Sequence, residues 1–158
     1  MPNEPTPLRL IQPSGSASGA PLSCEASRWL MENQPRSDNL PATLGPALPA
    51  ILADVERAMA PASFEAFSVQ MDRLLSWAQD FALPATDVEA LVRQYRALLG
   101  DLPAEVLEMA VRETMKNWAY RSMPLPGDIR KHAKGEFERL RTIKLRAKTA
   151  AMYLRWAR

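Results

Sequence analysis

Proline placement does most to limit what this chain can fold into. There are 14 prolines in 158 residues, and none follows Pro126. Proline fixes φ near −65° and has no amide hydrogen, so inside a helix it removes a bond and crowds the preceding turn. The prolines therefore cut everything before Pro126 into short segments. The stretch after it is free to run as one long helix.

Between the prolines the apolar residues keep helical spacing. Leu48, Ile51, Leu52, Val55 and Met59 lie on one face of a helix that starts near Pro46 and stops at Pro61. Ser63 is placed to cap a second helix carrying Phe64, Phe67, Met71, Leu74, Leu75, Ala78 and Phe81, which Pro84 ends. Thr86-Asp87-Val88-Glu89 has the form of a capping box. It opens a third helix with Val88, Leu91, Val92, Tyr95, Leu98 and Leu99, and Gly100 suits the position just past its end. Pro103 suits the first turn of a fourth, with Glu105 and Glu108 near its positive pole. Leu107, Ala110, Val111, Thr114 and Trp118 share a face there. Pro124 and Pro126, followed by Gly127, force an extended turn. From Asp128 the helical pattern continues to Arg158, with Gly135 as its weak point. No segment alternates with period two long enough for a strand.

The expected fold is all-α: a compact bundle of about four short helices, then a long basic C-terminal helix. Residues 1–45 read as a disordered N-terminal segment, 46–138 as the bundle, and 139–158 as a basic helical extension. Ile129, Ala133, Phe137 and Leu140 are placed to dock the start of the last helix, which is expected to project beyond Leu140. The N-terminal run Gln12 to Gly19 is too polar and Gly/Ser-rich to offset its ordering entropy. Trp29, Leu30 and Met31 form a short helical patch at 26–32. It reads either as incidental hydrophobicity in a linker or as a motif that folds on a partner.

Charge is unevenly distributed. The net charge of +2 divides into −1 over residues 1–45, −5 over 46–120 and +8 over 121–158. That division suggests an acidic body with a basic appendage. No apolar run is long enough to span a membrane, and no basic n-region with an apolar core opens the chain, so a cytoplasmic location is expected.

Little in the chain suggests catalysis. A lone cysteine, Cys24, provides neither a disulfide framework nor a zinc site. The one histidine, His132, sits between Lys131 and Lys134 and near Arg130, cationic neighbours that repel a metal. Phosphate loops, nucleophile elbows and zinc-helix motifs are missing. Glu105 with Glu108, and Asp54 with Glu56, fall at solvent-facing positions, whereas acid–base pairs need burial to separate their pKa values. The expectation is a non-enzyme with no cofactor and no metal.

The basic helix is the strongest signal. Its candidate partner- or nucleic-acid-binding residues are Arg139, Arg141, Lys144, Leu145, Arg146, Lys148, Met152, Arg155 and Trp156. Arg141, Lys144, Lys148 and Arg155 fall along one side of a helix, and Leu145, Met152 and Trp156 along another. Three roles fit: contact with nucleic-acid phosphates, docking into an apolar groove of an acidic partner, or folding against the chain's own acidic body. Self-association through Leu145, Met152 and Trp156 is a further role. The apolar side is thin for a membrane surface.

The stretch from Tyr95 to Arg130 reads Tyr95-Arg96-Ala97-Leu98-Leu99, then Leu102-Pro103-Ala104-Glu105-Val106-Leu107, Ala110-Val111 and Trp118, then Met123-Pro124-Leu125-Pro126-Gly127-Asp128-Ile129-Arg130. It resembles the bacteriophage replicative-helicase loader/inhibitor family and related prophage replication proteins, with Met123 where that family has an aromatic residue. The resemblance implies a helical domain and a separate segment that contacts the replicative helicase, delivers it to an origin-bound initiator and restrains it until then. By position and character, the helix from Arg139 to Arg158 is the expected contact segment. The expected function is a non-enzymatic adaptor in phage-type DNA replication; a small DNA-binding or regulatory protein and a self-associating structural protein are the alternatives.

Overall fold

A computed structural model of the chain describes residues 24–81 and 87–157. They form six helices: α1 (Glu25–Glu32), α2 (Leu44–Ala58), α3 (Phe64–Trp77), α4 (Val88–Leu99), α5 (Ala104–Asn117) and α6 (Pro126–Trp156). The fold is all-α, as the periodicity predicts. No helix among the described residues is long and apolar enough to cross a membrane.

The short helices begin and end much where the sequence places them. Ser63 caps α3 by accepting from the Ala66 amide at 3.1 Å. Asp87 caps α4, accepting from the Glu89 amide at 3.2 Å; Thr86, the expected cap, lies outside the described residues. Gly100 follows α4 with φ −70, so the left-handed freedom of glycine is unused there. α2 runs through Pro46 and Pro49, starting and ending about two residues earlier than expected. Pro46 falls in the first turn, where amides lack partners anyway, while Pro49 forgoes its bond to the Gly45 carbonyl. α5 ends at Asn117, which leaves Trp118 in the following loop, half-buried and with its ring edge against Tyr120.

α6 organises the rest. Its 31 residues span ~46 Å, and it packs against α1, α2, α4 and α5, while α3 rests on α5. Ile129, Ala133, Leu140, Ile143, Ala147 and Ala150 form its buried stripe, spaced by three, four or seven. The three alanines let neighbouring backbones come close. At the C-terminal end, a Cβ on Gly45 of α2 would stand 3.4 Å from Leu154 Cδ1.

Two expectations are corrected here. The last helix does not project beyond Leu140: Ile143, Ala147 and Ala150 are fully buried, so residues 139–157 belong to the same packed body as 46–138. Alanine-rich burial carries a weak hydrophobic signal, which is why the sequence pattern understates it. Nor do residues 24–45 form a disordered segment. Leu30 and Leu44 have no exposed surface, and α1 packs on α2 and α6. An eight-residue helix is marginal in water, so this order comes from tertiary contact. The Gln12–Gly19 run lies outside the described residues.

Backbone pairing joins two interhelical turns. The Ala62 amide donates to the Leu102 carbonyl at 2.9 Å, which lashes the α2–α3 turn to the α4–α5 turn.

The orientation of α6 has a direct mutational signature. Ile143→Ala is expected to cost about 2–4 kcal/mol, because it leaves a cavity in the stripe. Leu145→Ala, two residues on but 67% exposed, is expected to stay within about 0.5 kcal/mol of the parent. Urea titrations of the two variants check this; equal losses would place α6 in a different rotation.

Candidate interaction surface on the last helix

Opposite the buried stripe, α6 turns a second row of large residues to solvent. Leu145 is 67% exposed, Met152 39% and Trp156 74%. A rotation of about 100° per residue puts these three within a narrow arc. Arg141, Lys148 and Arg155, all exposed, run along one flank of that arc. Lys134 belongs to the same row, seven residues before Arg141, and is exposed too. The sequence reading began its basic segment at Arg139 and so missed it; the seven-residue interval was the available signal.

These cations are lightly engaged. Arg141 Nη1 stands 3.9 Å from Glu138 Oε1, with both groups exposed, an arrangement worth little in water. Lys134, Lys148 and Arg155 make no ion pair with the described residues.

Three other members of the predicted site have different work. Arg146 reaches across to α1, where its Nη1 donates to the Leu30 carbonyl at 2.9 Å and the Met31 carbonyl at 2.7 Å. Those are orphan carbonyls at the negative end of a helix with no basic residue in its own last turn. A cation from α6 completes α1, so Arg146 is structural. Lys144 is drawn toward α2 by Glu56, 3.6 Å away. Arg139 chelates Glu136 with contacts of 2.9 and 2.7 Å, and the hydrogen bonds to that carboxylate hold its guanidinium pKa above the ordinary value. The predicted cluster thus separates: Arg141, Leu145, Lys148, Met152, Arg155 and Trp156 come together on the outer face, while Arg139, Lys144 and Arg146 do not join them.

The proline turn is also structural. Pro124 and Pro126 are buried, and the hydroxyl of buried Tyr95 donates to the Pro124 carbonyl. The Asp128 carboxylate accepts from the Leu125 amide at 3.0 Å and closes the first turn of α6. A Cβ on Gly127 would meet nothing within 4 Å, so the turn does not require glycine there. Burial, reinforced by the negative charge of Asp128, pushes the Tyr95 hydroxyl up to about 12.

His132 is exposed on α6. Cys24 sits at the start of α1, half-buried, with Sγ 3.5 Å from Ser27 Oγ. Burial pushes its thiol up, but hydrogen bonds from Ser27 and nearby amides outweigh that and lower it. Among the described residues, no three His, Cys, Asp or Glu side chains are grouped to hold a metal ion.

Comparison with protein-family models, with curated proteins and with solved structures found no match to this chain.

Two outcomes follow from this geometry. Arg146→Met keeps the aliphatic stem but removes both donors, so stability should fall by about 1.5–3 kcal/mol. Amide exchange should then accelerate in α1 well before α5; uniform acceleration would deny the clamp. Tyr95→Phe should cost about 1 kcal/mol at pH 8 by leaving the Pro124 carbonyl unpaired. The parent's raised Tyr95 pKa stabilises the protonated form, so that contribution is intact below pH about 10 and declines as pH climbs toward 12. The gap between parent and Tyr95→Phe should therefore narrow over that interval in urea titrations. A constant gap would contradict the assignment.

Proposed function

We propose that this chain is a non-enzymatic adaptor in phage-type DNA replication that binds a replicative helicase through the outer face of α6. One observation carries the reading. Leu145 and Trp156 are 67% and 74% exposed on a helix whose opposite side is fully packed. Leaving large apolar groups in water along one face, with arginine and lysine beside them, is the pattern of a surface completed by a partner. The helicase as that partner comes from the resemblance over residues 95–130, and a cytoplasmic location follows from such a partner. The contact is a face of the folded body rather than a detachable arm.

A second reading draws on the row Lys134, Arg141, Lys148 and Arg155, which points the same way and suits DNA phosphates.

Co-elution with a purified bacterial replicative helicase on size exclusion tests the first. The intact chain is expected to shift into the helicase peak, and Leu145→Ser/Trp156→Ser is expected to lose at least tenfold in affinity with an unchanged melting curve. For the second, anisotropy of a labelled duplex oligonucleotide is followed against salt. If three or four phosphates are neutralised, log K should fall against log salt with a slope of about −3. Salt-steep DNA binding without helicase co-elution would replace the adaptor reading with the DNA reading.

A further inference from the structure

We infer that the outer face of α6 receives an acidic amphipathic helix laid alongside it; the inference deepens the adaptor reading and rests on it. Intervals of seven residues carry the argument. Leu145 and Met152 are seven apart, as are Lys134, Arg141, Lys148 and Arg155 on one flank and Thr142, Thr149 and Trp156 on the other. A straight α-helix returns to nearly the same direction after seven residues, with a drift of about 20°. Each set is therefore a row almost parallel to the helix axis. A narrow apolar strip of Leu145, Met152 and Trp156, bordered along one side by a basic row, is the layout of a helix–helix seam, in which flanking charges select the partner.

Alternatives fit less well. A partner strand pairs through backbone groups at a sheet edge, and a helix face offers only side chains. Duplex phosphates would meet the basic flank, yet seating them there presses the charged backbone toward Leu145 and Met152, where desolvation is not compensated. A second copy of this chain brings the wrong charges on the same face: its flanks hold the same basic row and two threonines, and Glu138 is the acid next to them. The complementary occupant is a helix with leucine-like residues at heptad spacing and a row of Asp or Glu opposite Arg141, Lys148 and Arg155. The stretch from Leu145 to Trp156 is only about three turns long, so the contact belongs to the small, transient class.

Two labelled four-heptad peptides with identical leucine cores, one with glutamate and one with lysine on the flanking row, supply the probe. Anisotropy with the full chain is expected to show the glutamate peptide binding at least tenfold more tightly, and weakening as salt rises. Arg141→Glu/Lys148→Glu should reverse that preference, and Leu145→Ser/Met152→Ser should abolish binding of both peptides. Equal affinity for the two peptides, no binding of the glutamate peptide, displacement of that peptide by duplex DNA at equal concentration, or a dimer dispersed by Leu145→Ser would each overturn the inference. Helicase co-elution that persists while the glutamate peptide neither binds nor competes would sink the acidic helix and leave the adaptor. Peptide binding as expected without helicase co-elution would sink the helicase as partner and keep the surface chemistry.

Discussion

The structure depends on one continuous contact, the burial of a single stripe of α6 from Ile129 to Ala150. Four of the other five helices touch it, and α3 is held through α5. A bundle of short helices has little stability of its own, since helices of 8 to 15 residues are marginal alone. α6 supplies a long common wall. Three of its buried residues are alanines, which contribute less transfer energy than leucine but permit close approach, so dispersion contacts between backbones replace side-chain bulk.

Polar contacts then secure places that apolar packing leaves loose. α1 is short and its carbonyl end faces α6; Arg146 satisfies two of those carbonyls. The turn into α6 is extended because of its prolines, and the Tyr95 hydroxyl holds it against α4. The bond between Ala62 and Leu102 pins two interhelical turns to one another. Each contact joins residues far apart in the chain, and each lies where a helix ends and backbone groups need partners.

The same helix that serves as the wall turns its other side outward, and there its composition changes character. The inner side mixes alanines with Ile129, Leu140 and Ile143, while Leu145, Met152 and Trp156 stand outside among arginine and lysine. Stability alone gives no reason to leave those three side chains in water. The proposed partner contact would, because a rigid helix holds its side chains at set intervals and loses little entropy on binding.

Helical class, the short helices after Pro46 and the grouping of Leu145, Met152 and Trp156 on one side of α6 were all legible in the sequence, because each depends on spacing within one turn or two. Leu145, Met152 and Trp156 separate from Arg141, Lys148 and Arg155 on any helical wheel. Which face of α6 packs inward beyond Leu140 was not legible, nor was the fate of Trp29 and Leu30, because pairing between faces is set by residues distant in sequence. Ala147 and Ala150 look like spacers until the packed bundle buries both completely. Arg146 looks like one more cation in a basic run until α1 ends beside it. Local periodicity and proline placement determine where this chain is helical. Only the tertiary structure decided that the last helix is the core's wall and that one of its arginines completes the first helix, since burial and helix capping across long sequence distances exist only once the chain has closed on itself.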